Sequence, residues 1–286
     1  MRRRIGGHRR LVAGYNSAAV FKGCIMNRQE RLTNLLNLVV ERKSLRVEEI
    51  VEALHISPAT ARRDLDYLAT QQLVTRTRGG VMTNPTSGEM PMRFRTVHNS
   101  DQKTAVAQCA VDLVQPGDVI ALNGGTTTTA IGAELGQRVA SDYSFSHRPV
   151  TVVTNAVNIA NDLIIRPQVR VVMTGGVARA RSYELVGPLA SLIYPHISVD
   201  IAFLGATGIS VTEGVFTDNE SEAAANRALV AVAHKTYAVA DSSKIGAYAF
   251  AKICSLNKLS GLITDTDIDD DARAALEAAQ VHVITR

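Results

Sequence analysis

Two stretches of this chain bring together side chains whose types and spacing could do chemistry. In Ser57-Pro58-Ala59-Thr60-Ala61-Arg62-Arg63 a hydroxyl able to cap a helix precedes proline at the first helical position, small residues and then two arginines. Small side chains at a helix tip permit close approach to a large surface. Thr60 can bond a phosphate or a base edge, and Arg62 and Arg63 can fork onto guanine or phosphate oxygens. The second stretch, Asn123-Gly124-Gly125-Thr126-Thr127-Thr128-Thr129, follows an apolar strand and opens a helix. Its glycines let backbone approach a ligand, helix-terminal amides favour an anion, and the threonine hydroxyls add donors for phosphate oxygens. Taken alone, the loop reads equally well as a glycine turn with a threonine cap. Thr154-Asn155, Thr174-Gly175-Gly176, Gly205–Gly208 and Asp241-Ser242-Ser243-Lys244 also follow strands, however, and strand-end loops of open α/β sheets converge on one crevice. That convergence favours a ligand site. No Gly-x-Gly-x-x-Gly is present, which argues against a dinucleotide.

The elements that must position these residues follow from periodicity. Leu32, Leu35, Leu36, Val39 and Val40 give one apolar helical face, Ser44-Leu45-Arg46 breaks it, and Val47–Leu54 is a second short helix. His55-Ile56 turns the chain, and a third helix runs from Pro58 to about Gln71 with Ala61, Leu65 and Leu68 inside. The pattern is a helix-turn-helix whose second member enters the major groove of DNA by its N-terminus. Ser57, Pro58, Ala59, Thr60, Arg62 and Arg63 are the expected DNA-facing residues of that helix. Leu73–Met82 reads as a hairpin with a glycine turn, a basic wing carrying Arg76 and Arg78. Pro85, Ser87, Gly88 and Pro91 mark an exposed linker. From Asp101 a helix gives way to alternating strands and helices, with strands at 119–122, 150–153, 169–173, 201–204, 237–240, 262–264 and 281–284. The expected fold class is α/β: an N-terminal winged helix-turn-helix and a C-terminal, mostly parallel α/β domain with helices on both faces.

Charge divides along the same line. Residues 1–95 hold 17 Lys and Arg against 8 Asp and Glu, leaving 14 against 19 for the rest. A basic front and an acidic back assign the polyanion to the N-terminal part. No apolar run approaches the ~18 residues that span a membrane. The 3 scattered cysteines, without a Cys-x-x-Cys pair, and the 7 histidines, without zinc-ligand spacing, predict a reducing, cytoplasmic setting, no metal and no cofactor. Residues 1–26 are expected to be a disordered extension with Met26 as the natural start. Residues 27–83 are expected to form the DNA-binding domain, 84–100 the linker and 101–286 the α/β domain.

The run Ile56-Ser57-Pro58-Ala59-Thr60-Ala61-Arg62-Arg63-Asp64-Leu65, followed by Arg78-Gly79-Gly80-Val81, closely resembles the signature of DeoR-type bacterial repressors. Arg78 stands where many members carry His. The C-terminal half is similar to the sensor domain of that family, which is related in fold to ribose-5-phosphate isomerase. The stretches that carry the similarity are Leu122–Thr128, Thr151–Asn155, Leu185–Pro188, Phe203–Ala206 and Ala240–Lys244. The resemblance implies double-stranded operator DNA as one partner, a phosphorylated sugar as the other, and a homodimer or homotetramer. It places the phosphate loop at Gly125–Thr128, has Asn123-Gly124-Gly125 where members often carry Asp-Ser-Gly, and has Asn226 where many carry Lys. The residues expected to bind the effector are Asn123, Gly124, Gly125, Thr126, Thr127, Thr128, Thr154, Asn155, Gly175, Gly176, Asp218, Glu220 and Lys244. The rival reading is a sugar-phosphate isomerase fused to a DNA-binding module, with Asp218, Glu220, Glu222 and Lys244 as candidate acids and bases. Fold kinship does not transfer activity, so no catalytic residue is expected.

Overall fold

The computed structural model describes residues 27–71, 73–83, 92 and 99–286. The expectations for residues 1–26 and for most of 84–100 lie outside them.

The first module is built on three helices, α1 (Arg28–Arg42), α2 (Val47–Leu54) and α3 (Pro58–Thr70). Asn27 caps α1 by accepting from the Glu30 amide, and Ser57 caps α3 by accepting from the Thr60 amide. Leu32, Leu35, Leu36, Val39, Ile50, Leu65 and Leu68 close one core, each buried side chain contributing about 2 kcal/mol relative to exposure. Val40, expected on that apolar face, is 51 % exposed, because the stripe is narrower than the pattern implied. Ser44–Arg46 does more than break the first helix. It forms a short strand, β1, that pairs antiparallel with β3 (Gly80–Thr83), which in turn pairs with β2 (Val74–Thr77). The wing is thereby stitched to the helices through three strands rather than hanging as a free hairpin. Its two-residue turn, Arg78-Gly79, depends on the left-handed φ of +80° at Gly79.

The second module is a seven-stranded parallel sheet. Its strands are β4 (Val119–Leu122), β5 (Val150–Thr154), β6 (Val169–Met173), β9 (Val199–Gly205), β12 (Ala233–Val239), β14 (Gly261–Thr264) and β15 (His282–Thr285), in the order β15-β14-β12-β9-β4-β5-β6. Alternation along the strands sends Ile120, Leu122, Phe203 and Ile263 to one face, and Ala121, Ala202, Leu204 and Leu262 to the other. Helices α4 (Ser100–Asp112), α5 (Thr126–Ser141) and α6 (Val157–Leu163) cover the first face, while α7 (Glu220–Ala231) and α8 (Asp270–Ala278) pack on the second. Two additions fall outside the expected alternation. A small antiparallel sheet joins β10 (Gly208–Ser210), β11 (Gly214–Thr217) and β13 (Ala251–Cys254), and a two-stranded ribbon pairs β7 (Val177–Ala178) with β8 (Leu185–Val186). The chain winds from β4 outward to β5 and β6, then returns to β9 on the other side of β4. The order therefore reverses between β4 and β9, where a crevice opens at the strand ends.

Candidate functional site

On the first module, Ser57, Pro58, Ala59, Arg62 and Arg63 are exposed along one side of α3, and Thr60 is half-buried beside them. Arg78 is exposed at the wing tip. Arg76 is held differently. Its guanidinium lies 3.1 Å from Asp66 on α3 and donates to the Gly80 carbonyl, so it fixes the wing against the helix. A second ion pair, absent from the sequence reading, joins Arg31 Nε to the buried Asp64 at 2.6 Å and ties α3 to α1. The start of α3 and the wing tip thus offer exposed arginines, Arg62, Arg63 and Arg78, while Arg31 and Arg76 are paired within the module.

In the second module a cavity of about 280 Å³ sits at the switch point. Asn123 begins it. Its amide donates to the Gly205 carbonyl at 3.0 Å and accepts from the Gly205 N–H at 2.7 Å, stapling the end of β4 to the end of β9. A carboxylate there could accept but not donate, so the amide suits this staple. Gly124 has a steric reason: a Cβ would fall 2.2 Å from Cγ of Glu184. Gly125, with φ +140°, occupies the N-cap of α5 and has no side chain to offer the helix. Thr126 and Thr127, at the first turn of α5, line the cavity, and the helix start has no side-chain cap, an arrangement that favours an anion.

Lys244 lines the same cavity, together with Lys103, which is buried on α4 and went unnoticed in the sequence. Its signal was legible. Lys103 lies four and seven positions before Ala107 and Ala110 on their buried face. Between the two lysines is Asp241. Burial alone would raise its carboxyl, but hydrogen bonds from Ser243 and Asn99 and the charges of Lys244 and Lys103 outweigh that and hold it below the ordinary range. Asn99 is the N-cap of α4 yet makes no cap bond. Its side chain donates to Asp241 at 2.9 Å instead.

The other wall comes from the β7–β8 ribbon, the end of β11 and the first half of α7, supplying Ser182, Glu184, Thr217, Glu222 and Asn226. Glu222 accepts from Arg179 at 3.0 Å and from Thr217 at 3.1 Å, while Asn155 donates to Glu184 at 3.2 Å. Asn37 of α1 also lines the cavity, so both modules border it. Of the residues anticipated for the effector, Asn123, Gly124, Gly125, Thr126, Thr127 and Lys244 line the cavity. Five others do not line it. Thr128 bonds the Gly125 carbonyl, Thr154 bonds the Leu122 carbonyl at 2.6 Å, Asn155 holds Glu184, and Gly175-Gly176 turns the chain from β6 into β7. Asp218 and Glu220 are exposed beside the Asn219 cap of α7 and do not line the cavity. Glu222, two residues further on, is the acid that does.

Among the described residues no group of His, Cys, Asp and Glu could hold a metal ion. Nor is any helix there long and apolar enough to cross a membrane.

Comparison with known proteins agrees with both modules. The DeoR-like helix-turn-helix domain matches residues 31–87 and the DeoR C terminal sensor domain matches residues 98–266. The HTH-type transcriptional regulator GlpR of Haloferax volcanii is 34 % identical over 256 residues, covering 89 % of this chain and 96 % of its own. The lactose phosphotransferase system repressor of Staphylococcus epidermidis is 30 % identical, covering 85 % and 94 %. The glycerol-3-phosphate regulon repressor of Escherichia coli is 27 % identical, covering 84 % and 92 %. These relatives are regulators rather than enzymes. Among solved structures, ribose 5-phosphate isomerase A of Methanocaldococcus jannaschii aligns with 51 % of this chain and 55 % of its own at 22 % identity and a TM-score of 0.39. So distant a likeness carries no catalytic implication.

Proposed function

The chain belongs to the DeoR family of transcriptional regulators, and on that premise we propose that it represses a sugar-metabolism operon and is released from its operator by a phosphorylated sugar. One observation carries the effector half of this reading. The uncapped first turn of α5, Lys103 and Lys244 all open into one cavity, a donor-rich corner for a phosphate group. The names of the relatives, which include repressors of lactose-transport and glycerol-3-phosphate genes, support a sugar-linked regulon. Ser57, Pro58, Ala59, Thr60, Arg62 and Arg63 face the major groove, and Arg78 reaches the flanking backbone. Thr128, Thr154 and Asn155 support the effector loop from behind.

The regulator works in the cytoplasm as a homodimer or homotetramer, so that two α3 helices meet two half-sites. Ile164 and Ile165, exposed shortly before the outer strand β6, and Met173, exposed at its end, support such an assembly. The domains are assigned to residues 27–83 and 101–286. The reading is tested by selecting bound fragments from genomic DNA and titrating the complex with sugar phosphates. One specific site, released by a sugar phosphate, is expected. Binding that ignores sequence, or a complex indifferent to every phosphorylated sugar, would refute it.

A further inference from the structure

Resting on the reading that the cavity takes a phosphate ester, we propose that its ligand is a monophosphate whose remaining end is an uncharged polyol, and that the cavity rejects a second anionic group.

The two walls differ in kind. Around the glycine loop stand Thr126 and Thr127 at the uncapped start of α5 and the cations Lys103 and Lys244, with the acid Asp241 beside them. The wall made by the β7–β8 ribbon, the end of β11 and α7 carries two acceptor-only carboxylates, Glu184 and Glu222, beside Thr217, Ser182 and Asn226, and the ribbon and helix are joined by the Arg179–Glu222 bridge. Each carboxylate oxygen has two lone-pair directions. Glu222, which accepts one bond on each oxygen, can therefore accept more. Ser182 and Asn226 are 6 % and 2 % exposed, and Ser182 Oγ and Asn226 Oδ1 have no hydrogen-bond partner among the described residues. Buried polar atoms are seldom left unpaired, and two of them in one cavity wall point to an occupant that supplies their bonds.

Hydroxyl groups fit this wall because each donates to a carboxylate or amide oxygen and can also accept. A carboxylate or second phosphate cannot donate. It would have to shed its water beside two acidic side chains, where like charges repel. The cavity, at about 280 Å³, suits a small metabolite rather than a nucleotide-sized one.

The test is calorimetry on the full chain with matched probes. Glucose 6-phosphate and glucitol 6-phosphate are set against 6-phosphogluconate and fructose 1,6-bisphosphate, and glycerol 3-phosphate against 3-phosphoglycerate, with inorganic phosphate as the common reference. The expected result is a monophosphate that binds roughly tenfold or more tightly than its doubly anionic counterpart. Asn226→Lys should narrow or invert that ratio. Glu222→Gln should shift it in the same sense and serves if the lysine disturbs the fold. An acid or bisphosphate that binds the wild type as tightly as its monophosphate partner would overturn the proposal and leave the phosphate reading standing. A ratio unmoved in folded variants would do the same. No binding by any phosphate ester would overturn both.

Discussion

Single side chains carry the most exposed parts of this account. Arg62 and Arg63 stand on the open side of α3 with no ion-pair partner among the described residues. Replacing either with Ala should cost about 1–3 kcal/mol in operator binding if it reads a base. Competition binding with operator and mutated operator measures this, and unchanged affinity in both variants would contradict the docking face. Asp241 supplies a pH test. Its carboxyl lies below the ordinary value of 3.8, so its ionised form stabilises the fold above that value and the contribution fades as pH falls through the lowered one. Asn99→Ala removes one of the bonds that depress it, and acid unfolding followed by circular dichroism should then begin at a higher pH. An acid limb identical to the wild type would show that Asn99 does not hold Asp241.

At the scale of elements, the wing and the glycine loop separate positioning from contact. Arg78 is exposed at the turn without an ion pair among the described residues, whereas Arg76 is held by Asp66 and Gly80. Arg78→Ala should lower the salt dependence of DNA binding by about one ion equivalent, with Arg76→Ala changing it less. Equal slopes for the two variants would mean that Arg76 leaves Asp66 on the DNA. In the cavity, Gly124→Ala drives a Cβ into Glu184, so effector affinity should fall while operator affinity holds. The elements themselves were largely legible. Helix periodicity placed α2 at Val47–Leu54, and apolar runs marked every strand of the parallel sheet. What escaped were features set by contacts distant in sequence. Ser44–Arg46 becomes a strand only because Gly80–Met82 lies beside it, and β10, β11 and β13 are too short to show a period. The site divides in the same way. The loop after β4 was readable from its glycines and threonines, and Glu222 stood among the candidate acids, but Ser182 and Glu184 reach the cavity from a ribbon that no local pattern links to it.

Over the whole molecule, a ligand can release DNA only by binding the DNA-free arrangement more tightly than the DNA-bound one. Among the described residues, contacts connect the cavity to the segments that precede the α/β domain. Asn37 of α1 lines it, the Met92 amide donates to the Arg181 carbonyl beside Ser182, and Asn99 holds Asp241. Coupling through these contacts is testable only if the phosphate site itself is right. The direct measurement is calorimetry with sugar phosphates on Thr127→Asp, paired with operator binding by the same protein. The substitution puts a fixed negative charge at the first turn of α5, where the phosphate should sit. The account predicts a folded protein that binds operator like the wild type, no longer takes up the sugar phosphate and is not released by it. Wild-type affinity for the sugar phosphate in this variant would contradict it, and would mean that the ligand sits elsewhere and the loop is only a turn.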